Sequence, residues 1–205
     1  MINININVDS VLDTLKNIKK EQIPFAISYA TNLTAQDIAD EITNEMPRYL
    51  DRPTPFTLKA YLTASGKWKG KRANKRDLTA IIQAGDIQAE YLAFQVFGGT
   101  RKPKKEAILV PTLLAPKNQY GNLTRANIKR YADPQGNIFH AGKKEQKEPG
   151  VYRRKRKAVE MLAAYETQTE YEPRFPIYSI AQRKAKQVME RNLLLAMQKA
   201  MATAR

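Results

Sequence analysis

The chain has no cysteine, one histidine and one tryptophan among its 205 residues. Without cysteine there are no disulfides, no thiolate zinc sites and no thiol catalysis. A lone histidine leaves little material for an imidazole-based metal site, because such a site takes two or three ligands at fixed spacing and nothing near His140 supplies them. No window approaches the ~18 consecutive apolar residues of a membrane span. The opening "MINININVDS" lacks the basic and continuously apolar regions of a signal peptide, so a cytoplasmic site of synthesis is expected. Acid is also scarce: 20 Asp and Glu stand against 35 Lys and Arg, a formal charge of +15. An excess of that size predicts an acidic neighbour, which charge alone leaves open between DNA, RNA, an anionic membrane and an acidic protein surface.

What is present is patterned. Ile2, Ile4, Ile6 and Val8 alternate with asparagines, the period of a half-buried strand over 1–8. Asp9 or Ser10 caps a short helix carrying Val11, Leu12, Leu15 and Ile18. Pro24 suits the first turn of a second helix. There Phe25, Ala26, Tyr29, Ala30 and Leu33 recur at helical steps, and Ala35, Ile38, Ala39, Ile42 and Met46 continue on another face. The change of face predicts a bend near Asn32 or a new helix begun by Thr34 with Asp37. Pro47, Pro53 and Pro55 are expected to end helical structure.

Phe56 to Leu62 alternate as a strand, and "LTAIIQAG" from Leu78 reads as its partner. Between them lies a long basic hairpin with its tip at 65–76. A helix follows over 87–97, closed by Gly98 with positive φ. "AILVPTLLAP" is a strand that Pro111 confines to an edge or bulge. "NLTRANIKRYA" is a short helix, and 133–157, rich in Gly, Pro, Lys and Arg, is a loop or arm in which His140 is solvated. On pattern alone "KAVEMLAAYE" is a strand or a helix; it is taken as a strand because "EYEPRFP" follows too soon for a long helix. The last helix starts near Ser179, with Ile180, Ala181, Ala185, Val188, Met189, Leu193, Ala196 and Ala200 on one stripe, and Leu194 and Met197 outside it as partner-facing residues. The expected fold is one α+β domain over 1–205: a mostly antiparallel sheet flanked by N-terminal and C-terminal helices, with a basic hairpin and a basic loop as arms.

No motif carries a reaction. There is no G-x-S-x-G elbow, and the glycines of "FGGTRKPKK" follow a helix, where the dipole has the wrong sign for an anion. Catalytic, metal and cofactor residues are therefore expected to be none. The candidate surface residues are Lys67, Trp68, Lys69, Lys71, Arg72 and Arg76 in the hairpin, and Arg101 and Lys102 after the middle helix. Lys143, Lys144, Arg153, Arg154 and Arg156 in the second arm join them, with Leu194 and Met197. Cations beside an aromatic such as Trp68 suit nucleic acid. Cationic arms equally suit acidic patches on neighbouring subunits.

"RPTPFTL" at Arg52 to Leu58, "YLAFQVFGGTR" at Tyr91 to Arg101, "YGNLTRANI" at Tyr120 to Ile128, "PGVYRR" at Pro149 to Arg154 and the terminal "ATAR" occur in an order that resembles the phage minor tail protein Z family, the tail-completion proteins of lambda-like phages. The resemblance runs from about Pro24 to Arg205. It implies a non-enzymatic α+β virion component without cofactor, acting as a ring of six copies at the head-proximal end of the tail or in the neck. The implied partners are further copies of itself, the tail tube or tail terminator, head-tail connector proteins and, by non-specific contact, phage DNA. Implied too are a virion location and host cytoplasm during assembly, with no membrane. On this reading the basic hairpin and the 136–157 tract grip neighbours, while Phe56, Leu58 and Leu62 seat the hairpin on the core.

Overall fold

A computed structural model describes residues 22–103, 107–142 and 148–203. The readings for 1–8, for the helix after it, and for Lys143 and Lys144 lie outside the described residues. The fold is α+β, with helices towards both ends of the chain and antiparallel strands between. Where one domain is expected, the chain divides into two compact units. Among the described residues the first comprises 22–45, 58–88 and 176–203, and the second 46–57, 89–103, 107–142 and 148–175.

Helix α1 runs without interruption over Gln22–Tyr49. It neither bends at Asn32 nor restarts at Thr34, because both of its apolar stripes are buried: Ala26 and Ala30 on one side, Ala35, Ala39, Ile42 and Met46 on another. A helix with buried contacts on two faces shows two phases of the apolar pattern without a break. Nor does Pro47 stop it. The helix continues to Tyr49, and the Leu50 N–H still reaches the Met46 carbonyl at 2.9 Å.

In the first unit α1 is joined by helix α5, Ile177–Ala202, the C-terminal helix expected from Ser179. Ala26 and Ala30 form one buried cluster with Ala196 and Ala200. Alanines four apart on each helix make ridges low enough for close approach. One turn on, the Asn192 amide, 1% exposed, donates to Thr34 Oγ1 at 3.1 Å and to the Asp37 carboxylate at 2.8 Å. Arg191 reaches the same Asp37 oxygen, and Lys184 bonds Glu41 at 2.9 Å. The Lys184 bond, reinforced by the charges of Lys184 and Arg183, holds the Glu41 carboxyl below its ordinary pKa. A buried asparagine in an alanine seam fixes the register of the two helices, since a one-turn slip would leave its amide unpaired.

The expected strand from Phe56 to Leu62 is not one. Pro55–Leu58 forms the single turn α2, and Leu62 makes only an isolated bridge to Trp68. Phe56 is 53% exposed, so it does not seat this segment on a core. Proline at the first position of a turn, preceded by Thr54, whose hydroxyl accepts the Thr57 N–H at 3.1 Å, is a helix start. That start prevails over the alternation. The paired strands are β1 (Gly70–Lys71), inside the supposed tip, and β2 (Ile81–Ile82), within the Leu78–Gly85 stretch expected as a partner strand.

In the second unit, α3 spans Asp86–Phe97 and contributes to it from residue 89. Gly98 follows with φ of +71°, as the C-cap reading predicts. Strand β3 (Gly99–Arg101) pairs with β8 (Thr169–Tyr171). The main sheet has four antiparallel strands in the order β4 (Ile108–Pro111), β7 (Val159–Glu166), β6 (Gly150–Arg154) and β5 (Ile138–Ala141). Pro111 sits on the edge strand, as its missing N–H requires. Helix α4, Arg125–Ala132, is capped by Thr124, whose hydroxyl accepts the Asn127 N–H at 3.2 Å. The core joins Tyr131 of α4 with Ile138, Val151, Leu162 and Ala163 of the sheet.

The 133–157 tract therefore is not a loop or arm where it is described: β5 and β6 are sheet strands, and Val151 is fully buried. His140 is exposed, as expected, but it lies on a strand and not in a loop. It stands on β5 with Nε2 donating to the Tyr131 carbonyl at 2.7 Å and lying 3.1 Å from the Tyr165 hydroxyl.

Candidate functional site

Each sequence-predicted surface residue among the described residues has a definite place. In the first unit the 65–76 segment is fastened to α1 rather than projecting from it. Asn32 and Gln36, one turn apart, each grip the segment's backbone. Asn32 donates to the Ala73 carbonyl and accepts the Ala73 N–H, both at 2.9 Å. Gln36 accepts the Trp68 N–H at 3.0 Å and donates to the Gly66 carbonyl at 3.0 Å. These side-chain amides supply the donors and acceptors that a neighbouring strand would otherwise offer. Trp68 is 3% exposed, so it is a buried anchor and not a stacking platform.

Half of the candidate cations among the described residues are engaged. The Lys69 ammonium donates to the carbonyls of Lys59 and Ala60 at 3.0 and 3.1 Å. Lys71 pairs with Asp77, and this bond, with the N–H and hydroxyl of Thr79, pulls the Asp77 carboxyl down to about 2. Arg72 lies over the Trp68 ring at 5.2 Å. In the second unit Arg153 bonds Glu160 at 2.6 Å and Arg154 covers the Phe139 ring at 5.3 Å. Lys155 shares Glu160, and the two cations hold that carboxyl below its ordinary range. Lys67, Arg76, Arg101, Lys102 and Arg156 are the candidates whose charged groups are exposed and without a partner among the described residues.

Leu194 is 57% exposed, as expected of a residue outside the stripe. Met197, in contrast, packs on the alanine cluster. Met189 and Leu193, placed on the buried stripe from sequence, are 56% and 39% exposed. The stripe is narrower than its apolar pattern because alanines, not long side chains, make the seam. An apolar groove of about 230 Å³ results, lined by Ile23, Ile27, Leu193, Met197 and Met201 among others.

A second concavity, within the second unit, went unrecognised from sequence. It is a cleft of about 320 Å³ whose walls include Arg52, Thr57, Tyr91, Gln95, Asn122 and Arg174. "RPTPFTL", "YLAFQVFGGTR" and "YGNLTRANI" all contribute to it, though they lie up to about 70 residues apart in the chain. Their co-occurrence was the available signal; nothing in their spacing announces a common cavity. Among the described residues no three His, Asp or Glu side chains gather as metal ligands, and no helix is long and apolar enough to cross a membrane. Compared with family models, with curated proteins and with solved structures, the chain finds no match.

Proposed function

We propose that the protein is a non-enzymatic structural subunit of a phage virion, a minor tail or tail-completion protein that forms a ring at the head-proximal end of the tail or neck and joins head to tail. The ordered sequence blocks point to that class, and the apolar groove of the first unit is the observation that carries it. Ile23 and Ile27 on α1 and Leu193 and Met201 on α5 are between 36% and 53% exposed around that groove, with Leu194 and Leu195 also exposed on α5. Large aliphatic and methionine side chains grouped in a concavity are the make-up of an interface centre. A closed ring needs one such surface per subunit, met by a different surface on the next copy.

Native mass spectrometry of the purified chain, together with imaging of particles, tests this. A closed oligomer is expected, lost in Leu194→Asp with the circular dichroism spectrum unchanged. A monomer at all concentrations, absent from the junction between capsid and tail, would overturn it. The five unpartnered cations favour a second reading, a DNA-contacting neck or head-completion adaptor. Salt-dependent binding of arbitrary duplex DNA by the isolated protein would support that reading, and no binding at ~50 mM salt would remove it.

A further inference from the structure

The polar cleft of the second unit is built around an arginine in an unfavourable backbone conformation. Arg52 has φ of +43°, and it is the one non-glycine residue with positive φ among the described residues. A branched-backbone clash makes that region costly for any residue with a Cβ. The following Pro53 normally holds its predecessor in an extended conformation. Two neighbours flank its side chain. Asp51 takes the Arg52 guanidinium in a two-point grip, from Nε at 3.0 Å and from Nη2 at 2.9 Å. On the opposite side Gly121, at φ of +76°, leaves room for it: a Cβ there would stand 2.8 Å from Arg52 Nη2. The glycine belongs to a turn that the Asn118 side chain stiffens by accepting the N–H groups of Tyr120 and Asn122, each at 3.0 Å.

The other walls are equally fixed. The hydroxyls of Thr54, Thr57 and Tyr91 form a chain with 3.0 Å links. Arg174 is placed by its own N–H and that of Phe175, which donate to the Gln95 carbonyl at 2.9 and 2.8 Å. Phe175 is buried against Tyr49, with ring centroids 5.8 Å apart. The Arg174 guanidinium itself has no partner among the described residues. Arg52 keeps Nη1 free, because Asp51 engages only Nε and Nη2.

We infer that this cleft binds a carboxylate, presented as an aspartate or glutamate side chain by another polypeptide, with Arg52 and Arg174 as its donors and Tyr91 and Gln95 fixing its approach. Two guanidiniums opposed by the Asp51 carboxylate leave a net charge of about one unit, which suits a single monoanion. A nucleic-acid backbone wants several uncompensated cations in a row, and this cleft does not offer them. With Nε and Nη2 on Asp51, Arg52 offers its Nη1 and Arg174 a second guanidinium, one donor group from each side of the cleft. The inference does not depend on the ring reading, because its test is made on the isolated chain.

The test follows the side-chain Nε–Hε resonances of Arg52 and Arg174 by NMR. The probes are N-acetylglutamate N-methylamide, its glutamine isostere, sodium acetate, inorganic phosphate and a 12-base-pair duplex. The glutamate probe is expected to shift both resonances saturably and at least tenfold more strongly than the glutamine isostere. Acetate should act more weakly than the glutamate probe; acetate acting as strongly would show that a free small carboxylate suffices and overturn the polypeptide source. Arg52→Gly should abolish the response while leaving the melting temperature unchanged or raised, since glycine accepts a φ of +43° without strain. If that variant fails to fold, Arg174→Gln, at an exposed side chain, carries the same expectation. Equal response to both amide probes, or a stronger one to phosphate or duplex, would overturn the proposal. So would a retained response in Arg174→Gln.

Discussion

Residues 65–76 and 133–157 look alike on paper, both basic, rich in glycine and poor in large apolar side chains, yet they are held in opposite ways. The first has only the two strand residues of β1 and is docked on α1 by the Asn32 and Gln36 amides, with one buried tryptophan. The second, where described, supplies two strands of a four-stranded sheet and part of its core. A basic stretch is therefore a free arm only if its backbone groups and its few apolar residues lack an internal destination. Trp68 has one in the first segment, and Ile138, Val151 and Tyr152 have theirs in the second.

The largest effect expected from breaking this comparison is Trp68→Ala, which should destabilise the chain by about 3–5 kcal/mol in urea unfolding. Leu162→Ala, in the sheet core, should cost about 2–5 kcal/mol. Hydrogen exchange separates the two. Trp68→Ala should release the amides of 60–85 first, Leu162→Ala those of 138–166, and identical patterns would mean that the units do not open independently.

Gln36→Ala leaves the Trp68 N–H and the Gly66 carbonyl without their partner and should cost about 1–3 kcal/mol. The same exchange map would show faster exchange confined to 65–76. A smaller effect concerns acid. With its folded pKa depressed to about 2, below the ordinary aspartate value near 4, Asp77 contributes its full support above that ordinary value. The support is lost as the pH falls through about 2. Carboxyl-carbon NMR should place its midpoint there, and Lys71→Met should move the midpoint up. Smallest of all is Lys67→Glu, at an exposed and unpartnered side chain, which should change stability by no more than about 0.5 kcal/mol. A loss of oligomer in that variant, with its fold intact, would mark the loop as part of the subunit interface.

Elements governed by local rules were legible from the residues. The C-terminal helix, the helix closed by Gly98, the short helix of "NLTRANIKRYA" and the Pro111 edge strand follow from period, cap or missing N–H, and the strand from Val159 from the closeness of "EYEPRFP". Phe56 to Leu62 misled because alternation is a weak signal over seven residues, while a Thr-capped proline turn is a strong one. Of the candidate surface, composition revealed the cations but not their partners: Asp77, Glu160, Phe139 and the carbonyls of Lys59 and Ala60 are each brought to a cation by the fold.

Charge, the positions of α3, α4 and α5, the absence of cysteine and the α+β class were determined by the sequence alone, because each depends on residue type or on neighbours within a few positions. Which basic residues stay free, that Trp68 is an anchor, and that Arg52 and Arg174 share a cleft across more than a hundred residues were decided only by the tertiary structure. A side chain's availability is what remains after every nearby donor, acceptor and ring has been assigned, and that assignment is made by packing between segments far apart in the chain.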